Sequence, residues 1–203
     1  MTDLKDPYYD DSGEVLRNLV GAATPADLAV AEADLVFART VQLDAVELPD
    51  TRDLAELQAI HRHLFQDVYP WAGEVRTVDI RRSEEGFLPV VALDRAAGIA
   101  ASDLHTDHYL QGLDRERFVA RLAHHYDQFN YIHPFREGNG RTQRVFWTRV
   151  AAAAGWELDW RNVSGEDNDR VSRIAAEERN LTPLVEMLER VVVAEHRPQQ
   201  GQP

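Results

Sequence analysis

A chain of 203 residues with 44% hydrophobic side chains can bury one core, so a single domain with small appendages is expected. Its 22 Lys and Arg against 35 Asp and Glu leave a formal charge of −13, which opposes broad attraction to nucleic acid or to an anionic membrane. Disulfide frameworks and thiolate metal sites are excluded by the absence of cysteine; without a secretory leader or an apolar run near about 18 residues, a cytoplasmic setting is expected.

Residues 1–23, including "YYDDSGEVLRNLVGA", read as an irregular N-terminal arm whose acidic stretch is solvated. Thr24 as N-cap, with Pro25 at the first helical position, opens a helix through about Ala38. In "TRDLAELQAIHRHLFQDVY", Leu54, Leu57, Ile60, Leu64 and Val68 recur at helical spacing. Then the period changes. Val78 and Ile80 alternate in "GEVRTVDIRRSEEGFLPVV", "SEEG" reads as a turn and 87–91 as a second short run, so a weakly paired, exposed β-hairpin is expected over about 74–91.

Helical patterning returns from Asp94 to Leu110 and from Arg115 to Tyr131, the second with Phe118, Leu122, Tyr126 and Phe129 as its apolar stripe. Another helix is expected from Gln143 to Ala154, closed by Gly155, with Val145, Phe146, Trp147 and Val150 mostly on one side. Two more follow, from about Glu166 to Arg179 and from Thr182 and Pro183 to about Ala194. Residues 196–203, "HRPQQGQP", have the composition of a disordered tail. The predicted fold is all-α over 24–195, with one small β-hairpin.

Between two of these helices lies "HPFREGNGRTQR", residues 133–144. Pro134 disfavours helical geometry at His133, so the preceding helix should stop there. Gly138, Asn139 and Gly140 tolerate positive φ, and alternating handedness would turn their N–H groups into an anion-holding nest. The following helix adds free N–H groups and a positive dipole end. Arg141 and Arg144, three apart, project from one side. Glu137 beside such a cradle makes sense if a hard divalent cation sits between carboxylate and phosphate oxygens. His133 could accept a proton from an attacking hydroxyl. Together the parts point to phosphate-group chemistry on a polyphosphate.

Each part alone has an ordinary explanation: a capping His-Pro, a "GNG" turn, arginines solvated or paired with nearby acids. The joint arrangement is far more specific, and it is not a P-loop, since no strand precedes it and no GK[ST] ends it. Other histidines, in "HTDH", "HRH" and "HH", lack the Glu of an HExxH zinc pattern and read as structural, as do Tyr69 and Trp71.

The twelve residues 133–144 match HPFx[DE]GNGRxxR, the signature of Fic-domain proteins, at every fixed position. "IHRHLFQDVYPWAGEVRTVDI" resembles the helix and flap entry of bacterial members and "VLRNLVGA" their N-terminal arm, so the resemblance spans roughly 8–192. It implies a helical bundle with a β-hairpin flap and an AMP transferase acting on a hydroxyl of another protein. His133 would be the base for a Tyr, Ser or Thr hydroxyl attacking the α-phosphorus of ATP, and Glu137 would hold Mg2+. Gly138, Asn139, Gly140 and Arg141 would cradle the phosphates, and Arg144 would take the outer one. Phe135 would anchor the loop to the core. The flap, Val78, Asp79, Ile80 and Arg81, would dock an extended target segment by strand addition. Arg82 and Ser83 stand where related sequences often carry Lys-Gly, which puts their nucleotide contact in question.

Many members are restrained by a helix carrying [ST]xxxE[GN]. The nearest match, "TPLVEM" from Thr182, has Met187 where Gly or Asn is required, and Thr182-Pro183 is explained as a helix start, so Glu186 is not taken as an inhibitor. A toxin-like protein restrained by a separate small antitoxin with that motif is therefore expected, with DNA topoisomerase subunits as family-level target candidates. Two alternatives stand beside it. One is phosphoryl transfer of the Doc type, whose members tend to carry Lys where Gly140 stands; the other is a non-catalytic, nucleotide-dependent binding module.

Overall fold

The computed structural model describes residues 6–81 and 86–195. Helix α1 (Pro25–Val41) starts where the Thr24 hydroxyl accepts from the Asp27 amide at 3.1 Å, with Pro25 in the first turn. Helix α2 (Leu54–Phe65) is capped by the Asp53 carboxylate and buries Leu57, Ile60 and Leu64, the stripe that its periodicity predicts. Helix α4 (Arg115–Ile132) is the central element: Phe118, Leu122, Tyr126 and Phe129 are buried, and it packs against α3 (Leu93–Thr106), α5 (Asn139–Ala153), α6 (Gly165–Glu178) and α7 (Thr182–Val191). Phe129 stacks on Phe146 and meets Trp147 edge-on at 5.2 Å, which locks α4 to α5 beside the quoted loop.

Several expected boundaries move, α1 running on from Ala38 to Val41. The helix expected to reach Leu110 ends at Thr106, because His108, Tyr109 and Leu110 all take left-handed backbone, a turn that periodicity does not reveal. The helix expected from Gln143 begins at Asn139, since Gly138 alone, at φ +79°, makes the reversal and Gly140 is already helical. The last helix stops at Val191 rather than Ala194. The β-branched run there extends into strand β2 (Val192–Glu195), antiparallel to β1 (Trp156–Leu158), with Trp156 opposite Glu195 and a bulge between Glu157 and Leu158.

The flap is a looser hairpin: among the described residues one isolated bridge joins Arg81 to Gly86, and the Phe87 amide donates to the Ile80 carbonyl at 3.2 Å. The N-terminal arm is more than a solvated segment. Tyr8 is buried against Trp71, its hydroxyl accepts from the Thr77 amide at 3.0 Å at the flap base, and Asp6 pairs with Arg136 at 3.0 Å. Arg82, Ser83 and the tail 196–203 lie outside the described residues.

Candidate functional site

The loop 133–144 joins α4 to α5 with a reversal at each end. His133 caps α4 at φ 46° and ψ 63°, a left-handed residue that ends the helix just ahead of Pro134, which disfavours a further right-handed turn. Its Nδ1 lies 3.2 Å from the Asn130 carbonyl. A carbonyl only accepts, so this contact is made by a proton on Nδ1, the tautomer in which a neutral imidazole would offer Nε2 as its base. The Phe87 ring lies parallel to the imidazole, centroids 3.7 Å apart and planes 13° apart.

Phe135 is buried, as an anchor should be, with its ring stacked on His61 at 4.0 Å. The Asn139 side chain is buried and turned inward: Oδ1 accepts from the Phe135 amide at 2.9 Å and Nδ2 donates to the Phe135 carbonyl at 2.7 Å. Asn139 therefore holds the loop shut with its side chain, and its place in a phosphate nest is left to its backbone.

A cavity of about 340 Å³ opens at the N-terminus of α5, walled by His133, Glu137, residues 138–141 and Arg144. From α6 it is completed by Asn168 and Asp169, which lie outside the 133–144 signature and carry no local motif. The first-turn N–H groups of a helix lack helical acceptors and carry its positive dipole end, so this cavity suits an anion. Glu137 is half-exposed and its Oε1 accepts from the Gly138 amide at 3.0 Å.

The two arginines are held differently. Arg141 lies over the Phe65 ring at 4.8 Å, pairs with Glu32 of α1, and comes within 3.7 Å of Glu137. Tyr69 donates its hydroxyl to the other oxygen of Glu32; burial first, then that carboxylate, push the phenol's pKa up. Arg144 donates to the carbonyls of Val163 and Ser164 at 3.2 and 3.3 Å and lies over the Trp160 ring at 5.6 Å.

His61 ties the loop to the turn before the flap. Its Nε2 donates to the Glu137 carbonyl at 3.0 Å, and its Nδ1 accepts from the Gly73 amide at 2.8 Å. Both nitrogens are engaged, so a second proton has no acceptor. Burial, with Arg141 nearby, lowers the imidazole from 6.5 to about 4. A depressed histidine binds its proton more weakly folded than unfolded, so its stabilisation is complete above 6.5 and is lost as pH falls from there towards 4. We expect denaturant titrations to show about 3 kcal/mol less stability at pH 4 from this group. His61→Gln should flatten that part of the profile, and an unchanged profile would remove His61 as its source.

On the flap, Val78 and Ile80 are half-buried while Asp79 and Arg81 face solvent, the expected alternation. The Asp79 carboxylate accepts from the Val90 amide at 2.8 Å and so joins the two arms. Arg76, Phe87, His61 and Glu32 carry no local signal. Each acts on the loop from far along the chain, as with Arg76 and His133, 57 residues apart.

The chain matches the family model described as Fic/DOC family over residues 51–151. It is 37% identical over 162 residues, covering 80% of each chain, to the Salmonella typhimurium protein named "Probable protein adenylyltransferase Fic". Its identity to the Escherichia coli protein of the same name is 32% over 188 residues, covering 93% of this chain and 92% of the relative. The N-terminal Fic domain of a VirB-translocated effector from Bartonella quintana, solved with bound ADP, superposes with a TM-score of 0.86 at 26% identity over 93% of this chain and 95% of that one. BepC of Bartonella tribocorum, solved with AMPPNP, shares the fold with a TM-score of 0.87 at 23% identity, covering 93% and 97% of the two chains.

Proposed function

This chain belongs to the Fic/DOC family, and we propose that it is a protein adenylyltransferase, moving AMP from ATP to a Tyr, Ser or Thr hydroxyl of another protein. The carrying observation is an imidazole with its Nδ1 proton committed to Asn130, standing at a cavity that also presents a helix N-terminus, a carboxylate and two arginines. In the reaction the target hydroxyl oxygen attacks the α-phosphorus. Its proton passes to Nε2 of His133, the bond from the α-phosphorus to the bridging oxygen breaks, and pyrophosphate leaves. The amides at 138–140 and Arg141 hold the phosphates, and Arg144 takes the outer one.

Glu137 suits a magnesium ion as the protein's ligand, being a half-exposed carboxylate on the wall of the phosphate cavity. Among the described residues there is no group of three or more His, Cys, Asp or Glu that could cage an ion, which fits magnesium shared with substrate phosphates. When bound, the ion would neutralise charge on the phosphates. The flap at 78–81 would pair its backbone with an extended target segment.

A small antitoxin carrying [ST]xxxE[GN] would restrain the protein, topoisomerase subunits are candidate targets, and the setting would be the cytoplasm. A second cavity of about 400 Å³, lined by Leu43, Leu48, Leu64, Val145 and Trp160 and also by Asp44, Arg141, Arg144 and Arg149, supports the antitoxin, since apolar side chains and three arginines would suit a helix that carries a glutamate. Glu186 is exposed on α7, in keeping with a surface role. Harmless overexpression of the chain alone would count against toxin-like restraint. As for the setting, no helix among the described residues is long and apolar enough to cross a membrane, and ATP as substrate supports the cytoplasm.

The deciding experiment incubates the protein with cell extract, magnesium and ATP labelled separately at the α and γ phosphates. Protein label from α alone supports AMP transfer. Label from γ alone moves the assignment to phosphoryl transfer, and label from neither favours a nucleotide-dependent binding module.

A further inference from the structure

Arg76 is 1% exposed, and its guanidinium is spent on backbone carbonyls. Nε donates to His133 at 2.8 Å and Nη1 to Val78 at 2.9 Å, while Nη2 donates to Leu88 and, at 3.4 Å, to Ile132. The Arg76 amide adds a bond to the Pro134 carbonyl at 2.8 Å. The carboxylate that pairs with it, the exposed Asp79, stands 3.9 Å away. Burying a cation with so distant a counter-charge is unfavourable unless its donors are satisfied, and here the carbonyls satisfy them. Ile132 and His133 are the last carbonyls of α4, left without helical donors and at the negative end of its dipole.

Val78 and Leu88 are the two roots of the flap, one on each arm. Leu88 follows Phe87, whose ring covers one face of the His133 imidazole. One planar fork thus fixes both arms of the flap, the left-handed backbone at His133 and the ring against it. We propose that Arg76 is a positioning residue for the transfer reaction, fastening the flap roots to the His133 backbone so that the imidazole is held at the angle the attacking hydroxyl requires. This rests on the AMP-transfer reading above. It acts through the backbone and Phe87, not by touching nucleotide or target.

Lysine keeps the charge of Arg76 but gathers its three donors on one nitrogen, and so cannot match four carbonyls spread around a planar fork. In Arg76→Lys we expect kcat for AMP transfer to fall about 10²-fold, the scale of a catalytic group displaced by about 1 Å. ATP affinity should remain at the wild-type value, because the phosphate contacts lie on α5. Nitrogen-15 NMR of the histidine side chains, with His133 assigned by its loss in His133→Ala, should show the Nδ1–H tautomer in the wild type and a mixture in Arg76→Lys. Wild-type kcat and tautomer in Arg76→Lys would overturn the proposal; so would equal losses of kcat and ATP affinity with the tautomer intact, the mark of simple structural support.

If Arg76→Lys does not fold, Phe87→Leu removes the ring that the fork places, and it should lower kcat with ATP affinity intact. Wild-type kcat in Phe87→Leu would then overturn the proposal. A wild type that transfers no label sinks the AMP-transfer reading itself, and the tautomer comparison still decides what Arg76 does to His133.

Discussion

Substituting His133 by alanine should lower AMP transfer by about 10²–10⁴-fold, the usual worth of a general base, while leaving ATP affinity unchanged. The separation follows from where the parts sit. The expected phosphate cradle is the N-terminus of α5 with Arg141 and Arg144, whereas His133 lines the same cavity from the C-terminus of α4. Removing the imidazole takes away the proton acceptor and the partner of the Phe87 ring, but no donor to the phosphates. Transfer of α-label and calorimetric titration with ATP measure the two quantities separately. Wild-type transfer by the variant would remove His133 from the mechanism; a matching loss of ATP affinity would show that the variant disturbs the cradle instead.

The second large effect comes from a missing side chain. Gly138 has φ +79°, and a Cβ there would lie 2.3 Å from Cζ and 2.5 Å from Cε2 of Phe65. Phe65 cannot withdraw, being fully buried, stacked on His61 at 4.6 Å and covered by Arg141. Left-handed strain contributes about 1–2 kcal/mol and overpacking about 1–3 kcal/mol more. Gly138→Ala should therefore lose about 2–5 kcal/mol and about 10 °C in melting temperature, together with ATP affinity, because Phe65 carries Arg141. Two residues on, Gly140 is helical, and a Cβ there would meet nothing within 4 Å. Gly140→Ala should be stabilising by about 0.5–1 kcal/mol. Thermal melts of the pair give the comparison, and equal stabilities would refute the contact with Phe65.

The same two glycines divide what local reading reaches from what it does not. "GNG" signals a reversal feeding a helix, but the three residues look alike on paper. Packing against Phe65, 73 positions upstream by the numbering of the two residues, singles out Gly138. Asn139 is a parallel case, read as part of an anion nest and found with its side chain closed on Phe135. Arg141, expected to cradle phosphate, is paired with a buried carboxylate, Glu32, from another helix.

From the sequence alone came the helical class, most helix starts and the family signature at 133–144. Caps, prolines, periodicity and the spacing of charged side chains act over a few residues and are written locally. The tertiary structure alone decided the β1–β2 pairing, the His61 bridge to Glu137, the Glu32–Arg141 pair and the Arg76 fork. Those contacts join residues far apart in the chain, and their energies depend on burial and orientation that exist only once α1, α2, the flap and α4 have packed around the loop.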